Sequence, residues 1–210
     1  MTATTVLAFA AMAALLIMSP GPNGVLIAKT VPTSGKAAGF ANIGGFAVAF
    51  FVHGTFAIFG LSVLVLQSAN LFLAVKLVGA AYLIWIGLKA LLDAWRGKPA
   101  DLLKVLPARR PRTLAKAFGE GFLTNALNPK VAMFYIAAFP QFMAQGSSPM
   151  SAYLLVAVHA LLNLAWFGPM VLLFERLSKV ARDGRLQRYL KGVTGIVFVG
   201  FGLKLATLRA

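Results

Sequence analysis

The chain alternates between long apolar runs and short segments that are polar or basic. A run of about 20 apolar residues is long enough to cross a bilayer as a helix, and a helix satisfies its own backbone hydrogen bonds there. The pattern therefore predicts an all-α membrane protein with six transmembrane helices. We place these helices at residues 4–31, 40–66, 71–92, 117–143, 151–174 and 192–206.

The first apolar run is interrupted by Ser19-Pro20-Gly21-Pro22-Asn23. Each proline lacks an N–H donor and disfavours helix in the residue before it, and the glycine adds backbone freedom. In hydrocarbon such a break persists only where it lines a polar cavity or is buried in protein. Broken helices of this kind often form transport sites. We therefore expect Pro20, Gly21, Pro22 and Asn23 to bind substrate, with a simple kink as the alternative.

A second interruption, Asn128-Pro129-Lys130, lies in the fourth predicted helix. Proline suits the first turn of a helix because its missing N–H would be unpaired there in any case. Lys130 lies far from either end of its helix, where an ionisable group is expensive and usually functional. We expect Asn128, Pro129 and Lys130 to complete the substrate site, with the ammonium among freed backbone N–H groups. A lysine that only extends to the membrane surface is the alternative.

The two halves of the chain share an ordered set of features. Each half has a proline break in its first helix, a histidine in its second and the sequence Gly-Leu-Lys at the end of its third. With three helices per half, the halves must cross the membrane in opposite directions. Inverted repeats with matching broken helices are typical of secondary transporters. We predict one transporter domain over residues 1–210, with repeats at 1–95 and 117–210 and a basic cytoplasmic loop at 96–116.

The chain is strongly basic, with a formal net charge of +15. Most of its Lys and Arg residues lie between predicted helices 3 and 4 or between helices 5 and 6. Nucleic-acid binding needs such residues on a folded soluble surface, and 60% of this chain is hydrophobic, so no nucleic-acid partner is expected. Short loops rich in Lys and Arg face the cytoplasm, which places both termini on the periplasmic side.

The only two histidines, His53 and His159, lie deep in the second and fifth predicted helices. Imidazole exchanges protons near neutral pH, so both are candidates for proton coupling, with interhelical hydrogen bonding as the alternative. Asn163 follows His159 by one helical turn and extends a polar face. Glu120, near the cytoplasmic end of the fourth helix, is a third candidate, with surface pairing to basic residues as its alternative.

Metal and redox chemistry have little support. The chain has no cysteine, which excludes disulfides and thiolate ligands. No pair of carboxylates lies in the middle of a predicted helix, which argues against a divalent-metal site with oxygen ligands. We expect no metal and no cofactor. A membrane-embedded hydrolase would need a third partner for Ser19 and a histidine, and the sequence offers none.

Three tripeptides with proline lie in and around the two breaks. They are Pro20-Gly21-Pro22, Asn128-Pro129-Lys130 and Pro140-Gln141-Phe142. In combination they resemble the LysE/RhtB family of bacterial amino-acid exporters, over nearly the whole chain. The resemblance implies a multi-pass protein of the bacterial inner membrane that exports amino acids or their derivatives by secondary active transport, most simply as a proton antiporter.

The partners that follow are an amino-acid substrate, protons and the lipid bilayer, while a homodimer stays open. An ion or metal exporter on the same six-helix architecture is the main alternative. Metal-dependent transport without competition by amino acids would distinguish it.

Overall fold

The structure, a computed structural model, describes residues 1–60, 69–97, 111–143, 148–174 and 184–207. All regular structure in these ranges is helical, which confirms the predicted all-α fold class. The described residues form seven α-helices: α1 (Ala3–Met18), α2 (Pro22–Thr55), α3 (Ala69–Trp95), α4 (Leu114–Ala126), α5 (Pro129–Met133), α6 (Pro149–Leu172) and α7 (Gly184–Thr207). α2 continues as π-helix at Phe56–Gly60, and α5 continues as π-helix at Phe134–Ala138 and 3₁₀-helix at Phe139–Phe142.

The break expected in the first helix lies between α1 and α2. α1 ends at Met18, and α2 begins at Pro22, where the fixed φ of proline matches the helix and its missing N–H is not needed. α2 then bends at Gly35, whose φ of 80° lies in the left-handed region that favours glycine. The gap predicted between the first two helices, at residues 32–39, is therefore a bend within α2, and the helix resumes earlier than the sequence suggested.

Four helical segments are long and apolar enough to cross a membrane. They are Pro22–Gly60, Leu77–Trp95, Pro149–Leu172 and Arg188–Thr207. α1 is apolar but has only 16 residues, and the second break separates α4 from α5. These features indicate a multi-pass membrane protein. The count of six spans and the inverted repeat stay predictions, and the end of the second predicted helix and much of both basic loops lie outside the described residues.

α2 and α4 pack with their backbones in contact. A Cβ added at Gly45 would overlap the backbone of Phe118, and one added at Gly121 would overlap the backbone of Asn42. Small residues at helix interfaces permit this close approach in membranes. Asn42 also fastens the two helices, since its Nδ2 donates to the carbonyl oxygen of Ala117 across 2.6 Å. This interface connects the two halves of the chain beside the breaks.

α3 and α7 pack antiparallel, also through glycines. A Cβ at Gly87 would lie 2.8 Å from the carbonyl oxygen of Gly195, and a Cβ at Gly202 would lie 2.9 Å from that of Ala80. The two contacts are reciprocal, because the sequence offset that relates Gly87 to Gly202 also relates Ala80 to Gly195. The same pair of contacts therefore occurs twice along this interface.

Aromatic side chains fill the interior where α1, α2 and α6 meet the chain that follows α5. Phe9, Phe50, Phe134 and Tyr135 are almost completely buried, and all four rings contact His159. The ring centroids of Phe50 and His159 lie 4.0 Å apart. Polar groups at this level thus lie in apolar surroundings, where an unpaired donor or acceptor is costly.

Candidate functional site

The two helix breaks meet, and Lys130 joins them. Its Nζ donates to the carbonyl oxygens of Leu16, at 2.9 Å, and Ser19, at 3.0 Å. In a continuous helix the N–H of residue 20 would bond to the carbonyl of Leu16, but Pro20 has no N–H. The ammonium of Lys130 therefore replaces the hydrogen bond that Pro20 removes, at the helix end where a cation is favoured.

Asn23 makes the corresponding contact in the other direction. Its Nδ2 donates to Asn125 Oδ1 across 3.0 Å, near the end of α4. Asn125 Nδ2 in turn donates to the carbonyl oxygen of Phe46 across 2.9 Å. Asn23, which follows Pro22, thus bonds to the end of α4, which precedes the second break. Lys130, which follows Pro129, bonds to the end of α1, which precedes the first break.

This placement differs from the expectation for Lys130. The sequence suggested an ammonium among freed N–H groups, whereas the structure places Nζ at two carbonyl oxygens of α1. The reason is that an ammonium is only a donor, so it pairs with the unpaired acceptors of a helix end. Its position still bridges the two breaks.

The starts of α2 and α5 differ in how they are capped. Asn128 Oδ1 accepts from the backbone N–H of Lys130 across 3.1 Å and so caps α5. Gly21, which precedes α2, has no side chain with which to cap it. The positive end of the α2 dipole is therefore open at Asn23 and Gly24, where an anion is favoured.

A small cavity lies where the breaks meet. The candidate residues in its lining are Gly21, Asn23, Asn128, Lys130 and His159. Within the described residues, the lining does not include Pro20, Pro22 or Pro129. Their part is to create the breaks and thereby to bring the lining residues together.

His159 reaches the cavity from α6 and is fully buried. Its Nδ1 lies 3.2 Å from Tyr135 Oη, while its Nε2 has no hydrogen-bond partner in the described part of the chain. His53 is only partly buried, and its Nε2 lies 3.4 Å from the carbonyl oxygen of Asn125. The ring of Tyr135 stacks on both imidazoles, at centroid distances of 5.6 Å to His159 and 5.7 Å to His53. One histidine therefore faces the cavity, and the other is linked to it through a tyrosine ring.

Glu120 lies elsewhere, in an ion pair with Arg112 Nε. The backbone N–H of Arg112 donates to Ser34 Oγ across 2.9 Å, so the pair ties the start of α4 to the bend in α2. Glu120 does not belong to the described lining of the cavity. Its contacts favour the surface-pairing alternative.

Two residues of the site were not among the candidates from the sequence. Asn163 is fully buried in the cavity lining, and its spacing of one turn from His159 was the available signal. Tyr135 carried no signal, because an aromatic residue in an apolar run has no distinguishing pattern. Tyr135 and Asn163 join the site because Tyr135 contacts the buried ring of His159 and Asn163 follows His159 by one helical turn.

Metal ligation has no support in the described ranges, where no group of three or more His, Asp and Glu side chains lies together. The described cavity lining also contains no carboxylate. Lys130 gives the cavity a positive charge. The cavity therefore suits a ligand with an anionic group.

In the described residues, helical structure with a cavity between two broken helices is typical of membrane transport proteins. The family model described as LysE type translocator matches residues 14–209. The chain therefore belongs to the LysE family of translocators, which confirms the resemblance carried by its tripeptides.

Relatives match over nearly their whole length. The uncharacterized membrane protein YrhP of Bacillus subtilis (strain 168) is 32% identical over 204 residues, which cover 95% of this chain and 97% of that protein. The threonine efflux protein of Escherichia coli (strain K12) is 25% identical over 197 residues, covering 92% and 93%. The homoserine/homoserine lactone efflux protein of Salmonella typhimurium is 28% identical over 196 residues, covering 93% and 92%. No solved structure matches the chain.

Proposed function

We propose that this protein is a secondary active exporter of neutral amino acids or their derivatives across the bacterial inner membrane. The observation that carries the proposal is the cavity in which Lys130 and the open start of α2 face the same space. Membership of a translocator family supports transport. The threonine and homoserine efflux relatives support amino acids as the cargo.

The substrate carboxylate binds where the two breaks meet. An ammonium has three N–H donors, and Lys130 uses two of them on α1 carbonyls, so the third is available to a ligand. Asn23 and Gly24 begin α2 in the same lining. Hydrogen bonds between charged donors and a carboxylate are among the strongest in proteins.

The side chain of the proposed substrate is uncharged. Its α-ammonium needs acceptors, and Asn23 Oδ1 is a buried acceptor that has no partner in the described structure. A second positive charge on the substrate side chain would face Lys130, and the described lining offers no carboxylate to compensate it. This favours amino acids with uncharged side chains over cationic ones.

Alternating access follows from two inverted halves. The reciprocal contacts of Gly87 and Gly202 support the repeat, and so does the exchange of Asn23 and Lys130 between the breaks. Rocking of one half against the other would expose the cavity to each side in turn. The basic loops face the cytoplasm and both termini face the periplasm.

The proposed driving force is the proton gradient, used by antiport. His159 faces the cavity with a free Nε2 in the described structure, and Tyr135 links it to His53. A proton on His159 would place a positive charge beside a substrate in the cavity. Repulsion between the imidazolium and the α-ammonium of the substrate would let the binding of one favour the release of the other.

The test is a counterflow screen in proteoliposomes. The liposomes are loaded with one unlabelled amino acid at a time, and uptake of the same labelled amino acid is measured with and without a pH gradient. We expect counterflow of neutral amino acids, faster efflux when protons enter in exchange, and little counterflow of lysine or arginine. If no amino acid shows counterflow while a metal ion does, the metal-exporter alternative is correct and the proposal is wrong.

A further inference from the structure

Asn163 is a buried amide without partners at the cavity. It lies on α6 with 0% of its surface exposed, and both Nδ2 and Oδ1 lack a hydrogen-bond partner among the described residues. Buried polar groups in proteins are nearly always hydrogen-bonded. A buried amide with no hydrogen-bond partner needs an explanation, and the contacts of the described residues do not supply one.

Apolar side chains share the cavity lining with Asn163, which makes a purely structural role a poor explanation. Leu16, Ile17, Phe50 and Phe167 are apolar residues of the same lining, and a leucine of nearly the same shape as asparagine would pack there without an unpaired donor or acceptor. Leaving such an amide buried costs free energy. Water can satisfy it while the cavity is empty, and a bound molecule that displaces the water must then replace those bonds.

The hydrogen-bonding capacity of the Asn163 amide indicates which substrate group could replace the water. Asparagine offers two donors on Nδ2 and an acceptor on Oδ1, and a hydroxyl likewise donates once and accepts twice. The carboxylate of the substrate is already assigned to Lys130 and the start of α2. The part of the substrate left to Asn163 is its side chain.

We infer that Asn163 is the residue that selects substrates with a hydrogen-bonding side chain over apolar ones of the same shape. The inference rests on the proposed function and names the substrate class of that same site. A site built to bond a hydroxyl discriminates strongly against an analogue without it, because its own buried groups are then left unpaired. An apolar pocket cannot make that distinction, since its affinity differs little between two molecules of the same shape.

The experiment compares isosteric competitors. Threonine and valine have the same shape and differ by a hydroxyl in place of a methyl group, as do serine and 2-aminobutyrate. Each is used to inhibit counterflow of the best labelled amino acid, by the wild type and by Asn163→Leu. We expect the wild type to bind the hydroxyl member of at least one pair about tenfold more tightly or better, and Asn163→Leu to lose that preference while its affinity for valine stays nearly unchanged.

Thr30→Val is the matched control. Thr30 is also fully buried on α2, with an Oγ1 that has no described partner, but it does not belong to the described cavity lining. This variant removes an unpaired polar group while keeping the shape, and it should keep the wild-type preference. Asn163→Ala, which adds no bulk, should reproduce the loss seen in Asn163→Leu and guards against misfolding of the leucine variant.

Two results would overturn the inference. One is a wild-type preference that persists in both Asn163 variants. The other is an equal fall in affinity for both members of a pair, which would assign Asn163 to the shared amino or carboxyl group. Absence of counterflow for any amino acid by the wild type would instead refute the proposed function itself, and the inference with it.

Discussion

Asn23 and Lys130 occupy equivalent places after Pro22 and Pro129, and each bonds to the helix that ends at the other's break. Lys130 replaces the backbone hydrogen bond to Leu16 that Pro20 removes, whereas Asn23 bonds to the side chain of Asn125. Because these bonds lie beside the cavity, any movement that opens the cavity must weaken or rearrange them. The fold and the proposed transport site therefore depend on the same few contacts.

The pair formed by Asn23 and Asn125 should be energetically coupled. We expect a double-mutant cycle with Asn23→Ala and Asn125→Ala to give a coupling of about 1 kcal/mol in the free energy of unfolding, the net worth of a typical hydrogen bond. The measurement is reversible unfolding in mixed detergent micelles. Asn23→Ala combined with Thr55→Val, at the far end of α2, should be additive within about 0.5 kcal/mol. Additivity of the asparagine pair would mean that the contact is not present in the membrane protein.

Replacement of Lys130 should affect stability and transport together. Lys130→Met leaves the carbonyl oxygens of Leu16 and Ser19 without their donor, so we expect a lower unfolding temperature in detergent and loss of most substrate affinity. Lys116→Met, which removes an exposed lysine from α4, is the control for the change in charge and should alter neither.

Lys130→Arg tests whether charge alone is sufficient. A guanidinium keeps the charge but has a planar arrangement of donors, and it must fit between two carbonyl oxygens of one helix end. We expect partial recovery of the unfolding temperature and little recovery of counterflow. Wild-type counterflow by Lys130→Met would remove Lys130 from the substrate site and leave the start of α2 as its anion-binding group.

The contact between α2 and α4 should be intolerant of a single methyl group. A Cβ at Gly121 would overlap the backbone of Asn42, whereas no described atom lies within 4 Å of a Cβ at Gly119 on the same helix. Gly121→Ala should therefore lower the unfolding temperature. Gly119→Ala should keep or raise it, since alanine favours helix by about 1 kcal/mol over glycine. Equal effects of the two substitutions would show that the helices are not in contact at Gly121.

The apolar runs predicted the fold class, and the prolines predicted the two breaks because the effect of a missing N–H is local. Pro22 and Pro129 begin α2 and α5 as expected, whereas Pro32 and Pro169 lie inside α2 and α6. Gly35 lies in the gap predicted between the first two helices. These features depend on neighbouring residues alone.

Contacts between distant parts of the chain were not predictable in this way. Lys130 appeared to be an anion-binding group, and only the approach of α1 shows that two of its donors are already used. Glu120 was a candidate for proton coupling with surface pairing as the alternative, and the sequence did not identify Arg112 as its partner. Tyr135 was indistinguishable from other aromatic residues until His159 was found against it. The partners of Lys130 and Tyr135 lie on other helices, while Arg112 lies just before the helix that carries Glu120.

The orientation in the membrane can be tested with single cysteines, because the chain has none of its own. We expect a cysteine at Ser148 to react with a membrane-impermeant maleimide in intact cells. A cysteine at Ser178, in the second basic loop, should react only after the cells are permeabilised. The unmodified chain is the control for background. Labelling at Ser178 from outside intact cells would reverse the proposed topology.

Proton coupling should depend on His159 more than on His53. His159 lines the cavity, whereas His53 lies outside the described lining and beside the carbonyl oxygen of Asn125. His159→Gln keeps an amide that can bond to Tyr135 Oη but cannot be protonated near neutral pH. We expect it to retain counterflow without a gradient and to lose the acceleration of efflux by a pH gradient.

His53→Gln is the matched control for His159→Gln and should keep that acceleration, because its site needs only a donor to a carbonyl group. Tyr135→Phe removes the hydroxyl beside His159 Nδ1 and should weaken coupling without abolishing it, since the imidazole itself stays in the cavity. Both histidine variants are assayed at equal protein density in liposomes, with efflux followed over a range of imposed gradients. If both His159→Gln and His53→Gln respond to the gradient as the wild type does, the two histidines are structural and the coupling proton binds elsewhere.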